Sequence, residues 1–239
     1  MADEVTGIPH ETGGVTAQYL LNRRKWLPSA LPVRVSYNPE LESPRPSIAD
    51  AIANAIQQWS AVSPSTFAFV YAGTTTANTD ACEDHADGVN TVAYVTTLQS
   101  GVLGLTCTYY TSDDSSVVLE FDMRLNWTFD WGAGPTIGAN QYDLASTVLH
   151  EFGHAAGLGH SSLSTAVMYF ALAKHTMKRT LTFDDTSGLR AQYPGGDLLV
   201  PPPAPTPTLD PSPAPTAAPT PVPVFSGAFR YRAPALVRE

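Results

Sequence analysis

Apolar and polar residues alternate along Val33-Arg34-Val35-Ser36-Tyr37, within the stretch from Leu31 to Tyr37, and that two-residue period predicts a half-buried strand. Ile48, Ile52, Ala55, Ile56 and Trp59 then recur at helical spacing, which sets them on one face of an amphipathic helix. Ser47, with Asp50 three positions on, resembles a capping box at its start. Runs at 67–71, 91–96, 103–110 and 117–125 predict further strands, divided by Gly, Asn, Asp and Ser turns. The stretch from Asp143 to Leu158 predicts a long helix, with Asp143 at its positive end and Gly157 and Gly159 closing the other. Strand, helix, several strands and a second helix describe an α+β domain, a twisted sheet with helices against one face.

Composition divides the chain. Its 239 residues, 43% hydrophobic, suffice for one domain of about 180 to 200 residues plus appendages. Eleven of the residues between Pro201 and Pro223 are proline, each fixing φ and lacking a backbone donor, so a stiff polyproline-like spacer is expected there. The expected organisation is an irregular arm at 1–24, a folded domain at 25–196, a Pro/Thr/Ala-rich linker at 197–224 and a short tail at 225–239. That tail is too short for a core of its own, and a disordered end is expected, with an anchoring tail or the stub of a further module as alternatives.

A net charge of −9 repels phosphate backbones, so nucleic acid is not an expected partner. No stretch approaches the roughly 18 to 20 apolar residues needed to span a bilayer. Two cysteines, Cys82 and Cys107, are too few for a four-thiolate zinc site. The expectation is one disulfide between them, closing a loop of about 25 residues and pointing to an oxidising, extracytosolic compartment. The opening Met1-Ala2-Asp3-Glu4 lacks the features of a secretory signal, which fits either a trimmed chain or one that stays inside the cell.

The chemistry concentrates on the second helix. His150 and His154 lie four apart, hence one above the other on one face, and can share a metal; Glu151 sits one position round, beside the metal and not on it. Gly157 lets the chain leave the helix, so that His160 can swing back as a third ligand. Three neutral imidazoles with an open fourth position describe a catalytic zinc site, since a structural site fills all four with protein. With this composition, five such matched positions arise by chance with a probability on the order of 10⁻⁵, so an incidental histidine cluster is set aside.

The run His150-Glu151-Phe152-Gly153-His154-Ala155-Ala156-Gly157-Leu158-Gly159-His160 resembles the metzincin pattern, and Ala166-Val167-Met168-Tyr169 looks like that group's methionine turn, with Met168 beneath the zinc. Among metzincins the resemblance is to the matrixins, the matrix-metalloproteinase group. Ser161 after the last histidine, Glu120-Phe121-Asp122 to Trp127-Thr128 upstream, and Leu181-Thr182-Phe183-Asp184-Asp185-Thr186-Ser187-Gly188-Leu189 through Tyr193 downstream carry the likeness from about Lys25 to Gly195. It implies a twisted, mostly parallel sheet with an antiparallel edge strand, two long helices, the Met-turn and a C-terminal helix, whose start Thr182 and Asp185 would cap.

The resemblance also implies a zinc-dependent, secreted endopeptidase in which Glu151 takes a proton from a zinc-activated water and hands it to the leaving amine. An extended protein or peptide substrate would lie antiparallel to the edge strand at Leu103, Gly104 and Leu105, with a specificity wall between Tyr169 and Thr182. Such an enzyme is expected as a monomer, with calcium a further candidate ion and Asp122 a contributor. Two departures stand out. Of the second, structural zinc of matrixins, His85 and Asp87 look like remnants, but the other ligand positions fall on Leu105 and Glu120, and leucine binds no metal. Neither cysteine lies in a cysteine-switch segment. The rival expectations are a zinc-retaining binding module without turnover, against which Glu151 argues, and a closed structural site with His10, His85 or His175 as fourth ligand.

Overall fold

In the computed structural model, which describes residues 4–6, 17–22, 24–77, 79, 82, 86–111, 114–195, 229–232 and 235–237, the alternating segment at Val33 becomes a central strand of one large sheet. The elements run in order β1 (Glu4–Thr6), β2 (Leu20–Asn22), β3 (Lys25–Trp26), a 3-10 turn (Pro28–Ala30), β4 (Val33–Asn38), α1 (Ala49–Ser60), β5 (Phe69–Thr74), β6 (Thr91–Val95), β7 (Val102–Thr111) and β8 (Val117–Asn126). They continue as β9 (Trp131–Gly132), β10 (Tyr142–Asp143), α2 (Leu144–Ala155), α3 (Phe183–Gln192), β11 (Phe229–Arg232) and β12 (Ala235–Val237). The linker expected at 197–224 lies outside the described residues.

Sheet order is β11-β7-β8-β6-β4-β5, with β3 also on β8 and β12 also on β7. β4 pairs in parallel with both β5 and β6, β6 with β8, and β7 alone of the domain's long strands runs antiparallel to its neighbour. This is the expected α+β architecture. The burial pattern explains it: β6 is buried throughout and β4 nearly so, as strands covered on both faces are. α2 packs on α1 and on β7 and β8. The core between them holds Ile52, Trp59, Phe69, Phe121 and Phe152. Phe69 stands edge-on to Phe152, ring centres 4.9 Å apart, a favoured aromatic geometry.

Two helix ends differ from expectation. α1 starts later than the expected cap: Ile48 is its N-cap, and its amide donates to the Glu42 Oε1 at 2.9 Å, while Ser47 Oγ accepts only from Ala49 at 3.3 Å. A carboxylate six residues upstream has taken over the capping. α2 stops at Ala155, short of the expected Leu158, because Gly157 turns the chain at φ 95°. The other caps stand as read: Asp143 accepts from the Ser146 amide at 2.9 Å, and Thr182 with Asp185 forms a capping box.

Cys82 and Cys107 form a disulfide that ties the loop after β5 to β7, with Cα atoms 5.7 Å apart. No described helix is long and apolar enough to cross a membrane. Within the N-terminal segment β1 pairs antiparallel with β2. In the C-terminal segment, where a disordered end was expected, β11 and β12 pair with β7, because a strand margin offers backbone donors and acceptors to any extended chain.

Candidate metal centre

α2 is the platform. Helical spacing brings His150 and His154 onto one face, their rings 4.6 Å apart, and the turn at Gly157 returns the chain so that the His160 ring lies 5.4 Å from His150 and 4.8 Å from His154. One ligand nitrogen from each falls within 4.8 Å of the others, and among the described residues no other His, Cys, Asp or Glu joins the cluster. His175 stands elsewhere, its amide donating to the Gln141 carbonyl. His10 and His85 lie outside the described residues.

The rings are oriented by the backbone. His150 Nδ1 lies 2.7 Å from the Val167 carbonyl and His154 Nδ1 2.8 Å from that of Leu158. Donation from Nδ1 to a carbonyl places the remaining lone pair on Nε2. The Nε2 atoms of His150, His154 and His160 are all buried with no hydrogen-bond partner among the described residues. Burial holds all three imidazoles neutral, lowering His150 to about 3 and His160 to about 4, with His154 lowered as well. Three neutral, convergent imidazoles whose buried Nε2 atoms have no hydrogen-bond partner among the described residues fit a borderline-soft divalent cation such as zinc.

Segments distant in sequence hold this geometry. The Gly159 amide donates to the Leu20 carbonyl and the Asn22 amide to that of Gly157, so β2 grips the loop that delivers His160. The Ser161 amide donates to the Met168 carbonyl, closing the loop on the methionine turn. Asp185 of α3 accepts from the amides of Val167 at 3.1 Å and Met168 at 2.9 Å, fixing that turn beneath the histidines. A Cβ at Gly153 would overlap the Met168 sulfur, so glycine is what lets Met168 seat against the helix. Asp143 at the head of α2 is fully buried and paired with Arg179.

Glu151 is enclosed between α2 and β7. Thr106 Oγ1 donates to its Oε2 at 2.7 Å, and Gly104 approaches so closely that a Cβ there would fall 2.7 Å from Oε1. Leu103, Gly104 and Leu105 therefore lie along the strand beside Glu151, with Leu103 itself in the core. Phe170, 43% exposed, stands 6.4 Å from the His160 ring at the start of the expected specificity wall. Sequence reasoning missed Thr106, Arg179 and β2. Nothing local marks them, since their partners lie dozens of residues away.

The acidic pair on β8 forms a separate environment. Glu120 accepts from the amides of Asp87, at 3.1 Å, and Gly88, and Asp122 accepts from the Tyr109 hydroxyl at 3.2 Å. Burial pushes Glu120 up to about 8 and Asp122 to about 7. His85, the other expected remnant of a second zinc site, lies outside the described residues.

The comparisons with known proteins agree with this geometry. The family model described as Matrixin matches residues 25–194. Metalloendoproteinase 1-MMP of Arabidopsis thaliana is 31% identical over 77% of this chain and 48% of its own length. Matrix metalloproteinase-20 of Homo sapiens is 29% identical over 71% of this chain and 32% of its own. Stromelysin-3 of Xenopus laevis is 27% identical over 87% of this chain and 40% of its own. The chain thus spans less than half the length of these relatives. Because the match runs through the sheet, the zinc helix and α3 together, and not through the histidine motif alone, this chain belongs to the matrixin family.

Proposed function

We propose that the chain is a secreted, zinc-dependent metalloendopeptidase acting on protein or peptide substrates as a monomer, with 25–196 as its catalytic domain, 1–24 as an arm, 197–224 as a linker and 225–239 as a tail. The observation that carries this reading is the convergence of three buried Nε2 atoms without hydrogen-bond partners among the described residues beside a buried carboxylate. His150, His154 and His160 would hold zinc, leaving one coordination position open. Zinc, when bound, supplies Lewis acidity that polarises a peptide carbonyl and acidifies a water.

The remaining steps belong to side chains. Glu151, steadied by the Thr106 hydroxyl, accepts the proton of the attacking water and returns it to the departing amine. Leu103, Gly104 and Leu105 align an extended peptide by backbone hydrogen bonds, which tolerate many sequences, so selectivity falls to pockets such as that bordered by Phe170. The Cys82–Cys107 disulfide supports an oxidising, extracellular setting. For calcium, Asp122 is the one contributor we name, and no step depends on it.

A peptide-library digest with and without a zinc chelator tests the reading, run beside Glu151→Ala. Cleavage that stops on chelation, and a variant that keeps its zinc but cuts nothing, are expected. Equal cleavage by both forms would refute Glu151 as the base, and a native chain that binds zinc and cuts nothing would be a binding module.

A further inference from the structure

The margin of β7 is covered by this chain's own C-terminal segment. β11 follows one half of the strand, from Phe229 opposite Thr111 to Arg232 opposite Thr108. β12 follows the other, with Ala235 opposite Leu105, Leu236 opposite Gly104 and, past a register shift, Val237 opposite Val102. Both run antiparallel to β7, the direction in which a substrate peptide is expected to lie. β12 also lies against α2. The stretch it covers lies beside the proposed reacting centre, for Gly104, opposite Leu236, abuts Glu151. In the chain so arranged Glu151 has no exposed surface and His150 and His154 retain 1% each.

A strand margin carries one row of donors and acceptors, so a peptide and residues 235–237 cannot both use it. We propose that β11 and β12, residues 229–232 and 235–237, bind the outer edge of β7 as substrate-like strands and block peptide entry beside Glu151, an autoinhibitory contact whose meaning rests on the proteolytic reading above. Edge pairing needs no particular side chains, so a short tail suffices. The connecting stretch, 196–228, reaches up to about 100 Å when extended, against a domain whose radius of gyration is about 16 Å. The tail thus returns to its own domain without strain. Tethering makes the pairing intramolecular, so it competes with substrate at a strength that does not depend on chain concentration.

The test uses the full chain and its Ala235→Pro/Leu236→Pro double variant. Neighbouring residues of a strand aim their amides to opposite sides, so one of the two prolines removes a hydrogen bond to β7 whichever side faces it. Peptide hydrolysis is measured at matched zinc content, with amide hydrogen exchange over residues 102–111. In the variant, KM should fall about tenfold with kcat unchanged, and β7 amides should exchange about tenfold faster. A synthetic peptide of residues 225–239 added to the variant should inhibit it competitively. Specific activity of the native chain should not depend on its concentration.

Equal KM in the two forms, or unchanged exchange over β7, overturns the proposal. Specific activity that falls as chain concentration rises reassigns the occupant to a second copy. Loss of the tail from the intact chain during incubation, seen by mass spectrometry, makes it a substrate and not a block. If neither form cuts any peptide while the exchange difference persists, the proteolytic reading fails and the inhibition falls with it, although the pairing itself is real.

Discussion

Thr106 shows what a single hydroxyl contributes beside a buried charge. Its O–H donates to the Glu151 carboxylate at 2.7 Å and also lies 3.1 Å from the Glu151 carbonyl, so it fixes the rotamer of the proposed base. Hydrogen bonds to charged groups contribute more than neutral ones, and Thr106→Val should therefore lower kcat by about tenfold with zinc content unchanged. Steady-state kinetics paired with metal analysis checks this; an unaltered kcat would show that Glu151 is positioned by packing alone. Glu120 supplies a pH signature. Folded, it keeps its proton up to about pH 8, whereas the unfolded carboxyl ionises near its ordinary 4.5, and the dominant cause is burial. Its contribution to stability is thus fully present below the unfolded pKa and is lost as pH rises through the folded one. Asp122, raised to about 7, acts in the same direction. The urea midpoint should fall between about pH 5 and pH 9, and Glu120→Gln should flatten that fall. A midpoint that climbs over the range would contradict the burial argument.

Among the elements, α3 and the methionine turn act as one piece. Asp185 caps its own helix through Thr182 and also accepts from two amides of the turn, where Val167 is 3% and Met168 1% exposed. Asp185→Ala would strand those buried amides, at a cost of about 2 to 4 kcal/mol, and would release the Val167 carbonyl that orients His150. Chemical denaturation should show the loss and a zinc titration a weakened affinity; unchanged values for both would mean the turn holds itself. The elements also show what sequence could reveal. Strands β4 to β8 and α1 were legible because periodicity, strand-rich composition and turn residues are local signals, α2 because its end signals and histidine spacing are stringent, and α3 through the family resemblance and its Thr182 and Asp185 cap. The start of α1 was misread, as its capping acceptor is Glu42 and not Ser47. β2 passed as part of an irregular arm because its role, gripping the Gly157 to Gly159 turn, involves partners more than a hundred residues away.

For the whole molecule, the disulfide and the tail set stability and access. Cys82 and Cys107 are separated by 25 residues, and closing such a loop restricts the unfolded chain by about 3 kcal/mol. Cys82→Ser/Cys107→Ser should lose about that much by denaturant titration while retaining zinc. An equally stable variant would show that β7 is held by its pairing alone. The tail was illegible as a strand because its pairing depends on the exposed margin of β7, which only the assembled sheet presents. The central claim, one zinc on three imidazoles with Glu151 as the proton carrier, is tested most directly by adding zinc stepwise to the metal-depleted chain while following peptide hydrolysis. Activity should rise linearly and stop at one zinc per chain, with Glu151→Ala taking up the same single equivalent and staying inactive. Hydrolysis that persists without metal, or a variant that cuts as fast as the native chain, would contradict it.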